Sequence, residues 1–257
     1  MKTRWPVLTH PGPLAFAHRG GAGDWPENTM PAFEGAVTLG YRYVETDVHV
    51  TADGVLVAFH DDVLDRVTDR TGAISELPWS EVRRARVDGR EPIPLLADLL
   101  GAWPDLRVNI DPKHDSAVDA LAEVIERTGS IDRVCLAAFS DKRLARLRLR
   151  LGPRLCTAFG PRDIARMRAA SYGAPVGRLP GAGCVQVPPR HKLGPLVDER
   201  FVRCAHGRGL QVHVWTIDDP VQMAELLDLG VDGIMTDRPS VLRDVLEARG
   251  QWFGPAA

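Results

Sequence analysis

The chain has 257 residues, 26% charged and 44% hydrophobic, enough to bury one large core and too apolar for a disordered or fibrous protein. A formal net charge of −2 supplies no overall basic field, which argues against nucleic acid as a partner. Cys135, Cys156, Cys184 and Cys204 are far apart in apolar segments and form no C-x-x-C pair, so they are expected to be buried thiols rather than a zinc site or a disulfide framework. No apolar run is long enough to span a bilayer, and Lys2 and Arg4 are not followed by the apolar stretch of a signal peptide. A soluble, cytoplasmic protein is the expectation.

Residues 1–13 carry three prolines and read as an irregular leader. A short strand over 14–17 ends in His18-Arg19-Gly20-Gly21. A helix opens after Pro26-Glu27-Asn28-Thr29, with Asn28 or Thr29 as N-cap and Gly40 near its C-cap. Residues 43–50 alternate as a strand, with Val44, Thr46, Val48 and Val50 on one face and Tyr43, Glu45 and Asp47 on the other. Asp53-Gly54 is a tight turn, and a second apolar run over 55–59 delivers His60. Residues 61–91 break the rhythm and read as a small insertion with a short helix near 80–87, before a helix over 94–103. Beyond it, strands are predicted at 107–111, 134–139, 155–159, 184–187, 211–216 and 233–236. Helices are predicted at 115–128, 141–151, 161–171, 198–208, 219–229 and 239–248. Eight βα units in one domain over residues 1–257 predict a (β/α)8 TIM barrel with an insertion after the second strand. A doubly wound open sheet is the alternative, and the glycine-rich phosphate loop it favours is missing from the sequence.

In such a barrel the chemistry sits where the strands end. The first delivers His18 and Arg19, the second Glu45 and Asp47 with His60 beyond. The third delivers Asn109, Asp111 and Lys113 on one face. Further round come Gln186, His213, Trp215 and Thr236-Asp237-Arg238. Carboxylates crowded at this spacing repel unless a cation lies between them, and a hard divalent metal prefers oxygen ligands. The set suits phosphoryl transfer. A metal on Glu45, Asp47 and Asp111 would polarise a phosphoryl oxygen, and Arg19 and Lys113 would hold the remaining anionic oxygen. His18 and His60 would serve as general base and general acid. A salt-bridge network closing the barrel is the structural alternative, and it has no use for two histidines.

His18-Arg19-Gly20, Pro26-Glu27-Asn28-Thr29, Glu45-Thr46-Asp47, His60-Asp61, Asp111-Pro112-Lys113, Trp215-Thr216 and Gly233-Ile234-Met235-Thr236-Asp237-Arg238-Pro239 resemble, in this order, the glycerophosphodiester phosphodiesterase family. The resemblance runs from about residue 14 to about residue 246. It implies a TIM barrel with an insertion after the second strand, and hydrolysis of glycerophosphodiesters to glycerol 3-phosphate and an alcohol with one divalent metal, Mg²⁺ or Ca²⁺. It implies that His18 and His60 are the catalytic pair, that Arg19 and Lys113 hold phosphate, and that Glu45 and Asp47 are metal ligands. The family's third ligand is commonly Glu, where this chain has Asp111.

Of the remaining candidates, Trp215 is expected to line the substrate pocket, His213 to fill the barrel, and Asp237 to tie down the last loop. His49 is expected to be solvated, and His10, His191 and His206 to lie on the surface. Glu27 and Asn28 should orient the first loop, and Arg66, Thr68 and Gly72 are candidates to fold over the site, with plain loop structure the stronger expectation. Two rival functions stand beside the main one. Lysophospholipids would need an apolar groove, for which Leu64, Leu77 and Trp79 of the insertion are candidates. A barrel that binds phosphodiesters without turning them over would not need the two histidines.

Overall fold

The structure is a computed structural model that describes residues 3–192 and 194–254. Eight parallel strands form its centre: β1 (Leu14–Ala17), β2 (Tyr43–Val50), β3 (Arg107–Pro112), β4 (Val134–Leu136), β5 (Cys156–Thr157), β6 (Cys184–Val187), β7 (Gln211–Val214) and β8 (Gly233–Thr236). They are hydrogen-bonded in the order β5-β4-β3-β2-β1-β8-β7-β6. A parallel bridge between Ala158 and Cys184 then brings β5 back to β6 and closes the ring. Gly183 N–H donates to Thr157 O and Phe159 N–H to Cys184 O at the same seam, both at 3.0 Å. The result is the predicted TIM barrel, not an open sheet.

Helices α1 (Met30–Thr38), α2 (Leu96–Ala102), α3 (Ala117–Thr128), α4 (Asp141–Leu151), α5 (Pro161–Ser171), α6 (Glu199–His206), α7 (Pro220–Asp228) and α8 (Pro239–Ala248) cover the outside. Parallel neighbours need a crossover, and a helix supplies it. Thr29 is the cap of α1, its Oγ1 accepting from Ala32 N–H at 3.3 Å. Asp198 and Asp219 cap α6 and α7 in the same way. Every residue of β2 is buried, because its outer face meets the helices and its inner face meets the barrel interior. Outward residues such as Val44 and Val48 join the large core beneath the helices.

Three features depart from the sequence expectation. The leader is not merely irregular. A turn over Pro6–Leu8 buries Val7 and Leu8, and these with Trp5 seal the end of the barrel opposite the site, against Cys135, Cys156 and Cys184. The packing is close enough that a Cβ on Gly183 would meet Leu8 Cδ1 at 2.6 Å and Cys156 Sγ at 2.7 Å. All four cysteines are free, but Cys204 is only half-buried. The insertion starts from a short antiparallel strand, Leu56–Ala58, paired to the end of β2. Its helix covers only Trp79–Val82, because by Arg86–Val87 the chain is extended and paired with Glu91–Pro92. Among the described residues no helix is long and apolar enough to cross a membrane.

Candidate active site

The strand ends converge on one cavity of about 950 Å³, lined by His18, Arg19, Glu45, Asp47, His60, Asp111, Lys113 and Trp215 among others. The eight residues singled out from the sequence therefore share one space. How they are held follows from the strands that carry them.

β1 ends in a turn at His18–Gly20 in which Arg19 takes a left-handed backbone, φ 51°. That turn aims Arg19 N–H at Glu45 Oε2, 3.2 Å away. His18 Nδ1 lies 2.6 Å from Asp237 Oδ1, so Nδ1 carries the hydrogen and donates it to the carboxylate. Nε2 is left facing Glu45 Oε2 at 3.7 Å. Burial opposes a charge on His18, but the Glu45 and Asp237 carboxylates outweigh it and raise its pKa. Asp237 is thus more than a tether for the last loop: it anchors the His18 ring. It is itself fixed by Asp218, whose Oδ1 accepts from Asp237 N–H at 2.8 Å and from Thr236 Oγ1 at 2.9 Å. The signal for this pair lay in the topology. Once β8 pairs with β1, Thr236 is the partner of Ala17, and the next residues of the two strands are neighbours.

Asp47 and Asp111 are register partners on β2 and β3, and Glu45 lies one pleat earlier. All three carboxylates are buried. Lys113 Nζ stands 2.5 Å from Asp47 Oδ1 and 2.9 Å from Asp111 Oδ2. Asn28 Nδ2 donates to Asp47 Oδ2 at 3.3 Å, and Arg19 Nε is 3.4 Å from the same oxygen. Burial alone would raise the Asp47 pKa, but Lys113 and Arg19 pull it below the ordinary carboxylate value. Glu45 has weaker cationic support, and burial with the Asp47 charge lifts it to about 7. Burial also raises Asp111, only partly offset by Lys113.

Among the described residues no group of His, Cys, Asp and Glu side chains is gathered as it would be around an ion, since the Lys113 ammonium lies between Asp47 and Asp111. The donor chemistry nevertheless fits a hard divalent cation. The donors are carboxylate oxygens, Asp111 Oδ1 is buried without a hydrogen-bond partner among the described residues, and burial beside the Asp47 charge keeps Glu45 from ionising readily. Glu45, Asp47 and Asp111 would hold such an ion.

His60 follows the antiparallel strand of the insertion, and its Nδ1–H donates to Asp61 Oδ1 at 2.5 Å. His49 is not solvated. It is 4% exposed, and its Nε2–H donates to the His60 carbonyl at 3.0 Å. Leu56–Ala58 pairs beside β2 with Val57 opposite His49, the chain that follows brings the His60 carbonyl and Asp62 against the ring, and burial lowers its pKa. His213 fills the barrel as expected, between Gln186 and Gln211, and burial lowers its pKa too. His191 is exposed but borders the cavity, while His10 and His206 are half-buried rather than on the surface. His10 packs edge-on to Tyr43, and His206 Nε2 lies 2.8 Å from Asp232 Oδ2.

Away from the charges, the cavity becomes an apolar trough walled by Phe139, Phe159, Ile164, Leu196, Trp215 and Met235. Phe139 meets Trp215 edge-to-face with centroids 5.7 Å apart and is 70% exposed at the mouth. Leu64, Leu77 and Trp79 have no part in it. They pack into the insertion's own small core around Val57, Ile74 and Val82.

A family model described as "Glycerophosphoryl diester phosphodiesterase family" matches residues 18–241. A Mycobacterium tuberculosis (strain ATCC 25618 / H37Rv) protein named "Probable glycerophosphodiester phosphodiesterase 2" is 43% identical over 252 residues, covering 96% of each chain. The human protein named "Lysophospholipase D GDPD1" is 29% identical over 274 residues, covering 90% of this chain and 85% of its own. Among solved structures, a phosphodiesterase from Oleispira antarctica in complex with the product sn-glycerol-3-phosphate superposes with a TM-score of 0.77 at 23% identity, covering 92% of this chain and 97% of its own. Glycerophosphodiester phosphodiesterase from Agrobacterium tumefaciens str. C58 gives 0.74 at 24% identity, covering 90% and 98%.

Proposed function

The chain belongs to the glycerophosphoryl diester phosphodiesterase family and is a phosphoric diester hydrolase, and on that footing we propose that it cleaves glycerophosphodiesters to glycerol 3-phosphate and an alcohol by histidine acid–base catalysis at a divalent-metal site. One observation carries the reading. Two histidines, each with Nδ1 bonded to a carboxylate, open on the same cavity as three buried carboxylates and two cations.

The phosphodiester enters with its anionic oxygens toward Arg19 and Lys113, which bind by charge-assisted hydrogen bonds. Asp237 and Asp61 hold the two rings so that each presents Nε2. One Nε2 takes the proton from the attacking hydroxyl, which is that of water or of the substrate's own glycerol; in the second case the first product is a cyclic glycerol phosphate, which a water then opens to glycerol 3-phosphate. The other gives a proton to the departing alkoxide as the P–O bond breaks. Glu45, Asp47 and Asp111 would hold a divalent ion, and the chemistry it would supply there is Lewis-acid polarisation of a phosphoryl oxygen. The test is release of glycerol 3-phosphate from glycerophosphocholine and glycerophosphoethanolamine, with Mg²⁺, with Ca²⁺ and with a chelator. Metal-dependent release supports the reading, and none from folded, metal-supplied protein sinks it.

The trough favours a second reading, in which the substrate is a lysophospholipid. A cavity of about 950 Å³ exceeds what a glycerol, a phosphate and a small alcohol fill, and the surplus is lined mainly by apolar side chains, with Arg168 and Tyr172 among them. A single acyl chain suits it. If so, Leu196→Asp lowers kcat/KM for lysophosphatidylcholine by about tenfold or more, the equivalent of one lost buried aliphatic contact. Activity on glycerophosphocholine stays within about twofold. Equal losses on both substrates would remove the acyl chain from the trough.

A further inference from the structure

The insertion contributes one side chain that reaches both halves of the catalytic cluster. Arg66 Nη1 and Nη2 donate to Glu27 Oε2 and Oε1 at 3.0 and 2.6 Å. Its Nε and Nη2 donate to Asp61 Oδ2 and Oδ1 at 2.6 and 3.1 Å. Each carboxylate has a second partner inside the cavity. Glu27 Oε1 accepts from Arg19 Nη1 at 3.1 Å, and Asp61 Oδ1 accepts from His60 Nδ1 at 2.5 Å. An unbroken chain therefore runs His60–Asp61–Arg66–Glu27–Arg19. It bridges the loop after β1 and the loop after β2, 39 residues apart at Glu27 and Arg66.

The geometry needs a guanidinium. Its planar fork offers two edges with paired N–H groups, one for each carboxylate, whereas an ammonium offers three donors around a point. The role is not one of stability. Arg66 is 48% exposed, and ion pairs open to solvent add little to stability. What it controls is the placing of groups that are themselves held well: Glu27 and Asp61 are only 13% and 21% exposed. Hydrogen bonds from Arg66, ahead of that from His60, also hold the Asp61 pKa down to about 2.

We infer that Arg66 is a positioning residue that sets the phosphate-holding Arg19 and the imidazole of His60 at a fixed separation; this rests on the roles given to those two residues above. Substrate binding and proton transfer are thereby coupled through a residue that touches neither phosphate nor leaving group.

The test uses the full chain with metal and glycerophosphocholine, and reads kcat, KM, the inhibition constant of glycerol 3-phosphate, and Tm. Glu27→Gln acts through Arg19 and weakens glycerol 3-phosphate binding with little change in kcat. Asp61→Asn acts through His60 and lowers kcat with little change in that binding. Arg66→Met does both, by about fivefold to tenfold each, with Tm nearly unchanged, and Arg66→Lys does not restore the loss. The effects of Glu27→Gln and Asp61→Asn on kcat/KM are non-additive with Arg66 present and become additive with Met in its place. The inference is overturned if Arg66→Met leaves both constants within about twofold, if Lys restores both, or if the double substitution is additive throughout. His60→Ala and Arg19→Ala are measured alongside. If they retain full activity, the acid–base reading fails and the coupling falls with it. If they are impaired while Arg66→Met is not, only the coupling fails.

Discussion

His18→Ala and His60→Ala each lower kcat for glycerophosphocholine by about 100- to 10,000-fold, the range for removing one positioned acid or base. KM changes far less, because Arg19 and Lys113 still hold the phosphate. Substrates with a good leaving group distinguish the two. A glycerophosphodiester of p-nitrophenol departs without being protonated, so the variant lacking the acid regains most of its rate and the variant lacking the base does not. Recovery in neither variant would mean that the two rings do not divide the work as proposed. Asp237→Asn leaves the His18 ring in place with a weaker acceptor on Nδ1, and its loss of kcat is smaller than that of His18→Ala.

Chelation abolishes turnover, and added divalent metal restores it; Glu45→Gln loses activity that metal does not restore. The same carboxylate gives a stability signature in the metal-free protein. Its folded pKa, about 7, is raised above the ordinary carboxylate value, so its favourable contribution is present in full below that ordinary value and is lost as pH rises through about 7. In chelator, Tm should therefore fall between about pH 5 and pH 8, and Glu45→Gln should flatten the fall. Added metal should reverse the order of the two proteins at pH 8. A wild-type Tm that is flat over this range in chelator, or unmoved by metal, would count against a cation site on these oxygens.

The barrel was legible because strand and helix periods alternate eight times, and its ends could be placed to within a few residues. The charged residues could be read because alternation along β2 and β3 puts Glu45, Asp47, Asp111 and Lys113 on inward faces. Parity fails, however, at His49. It continues the same face of β2, but the start of the insertion at His60 and Asp62 closes against its ring, a path that alternation along β2 does not reveal. Asp237 was underrated because its partner is 219 residues away, across the junction of the last strand with the first. The trough lies away from the insertion residues that the sequence offers as candidates for it. Leu64 and Trp79 look available in a polar insertion but are consumed by its own core, whereas Phe159 and Ile164 look like ordinary barrel packing. Arg66 is a candidate to fold over the site from its place in the insertion, but the stretch of alternating charges does not show that it reaches Glu27 across the cleft.

The strands of the barrel are unequal. β2 and β3 share six register pairs, whereas β5 has two residues and joins β6 through a lone bridge. The residues proposed for chemistry stand on or just beyond β1, β2 and β3, apart from the Asp237 anchor on the loop after β8; most of the apolar trough stands beyond β4, β5 and β6. Inheritance can act on these halves separately. Substitutions in the loops that wall the trough leave the six-pair ladder untouched, so under the proposed roles a lineage can change its diet of alcohols or acyl chains while its way of breaking the phosphorus–oxygen bond stays the same.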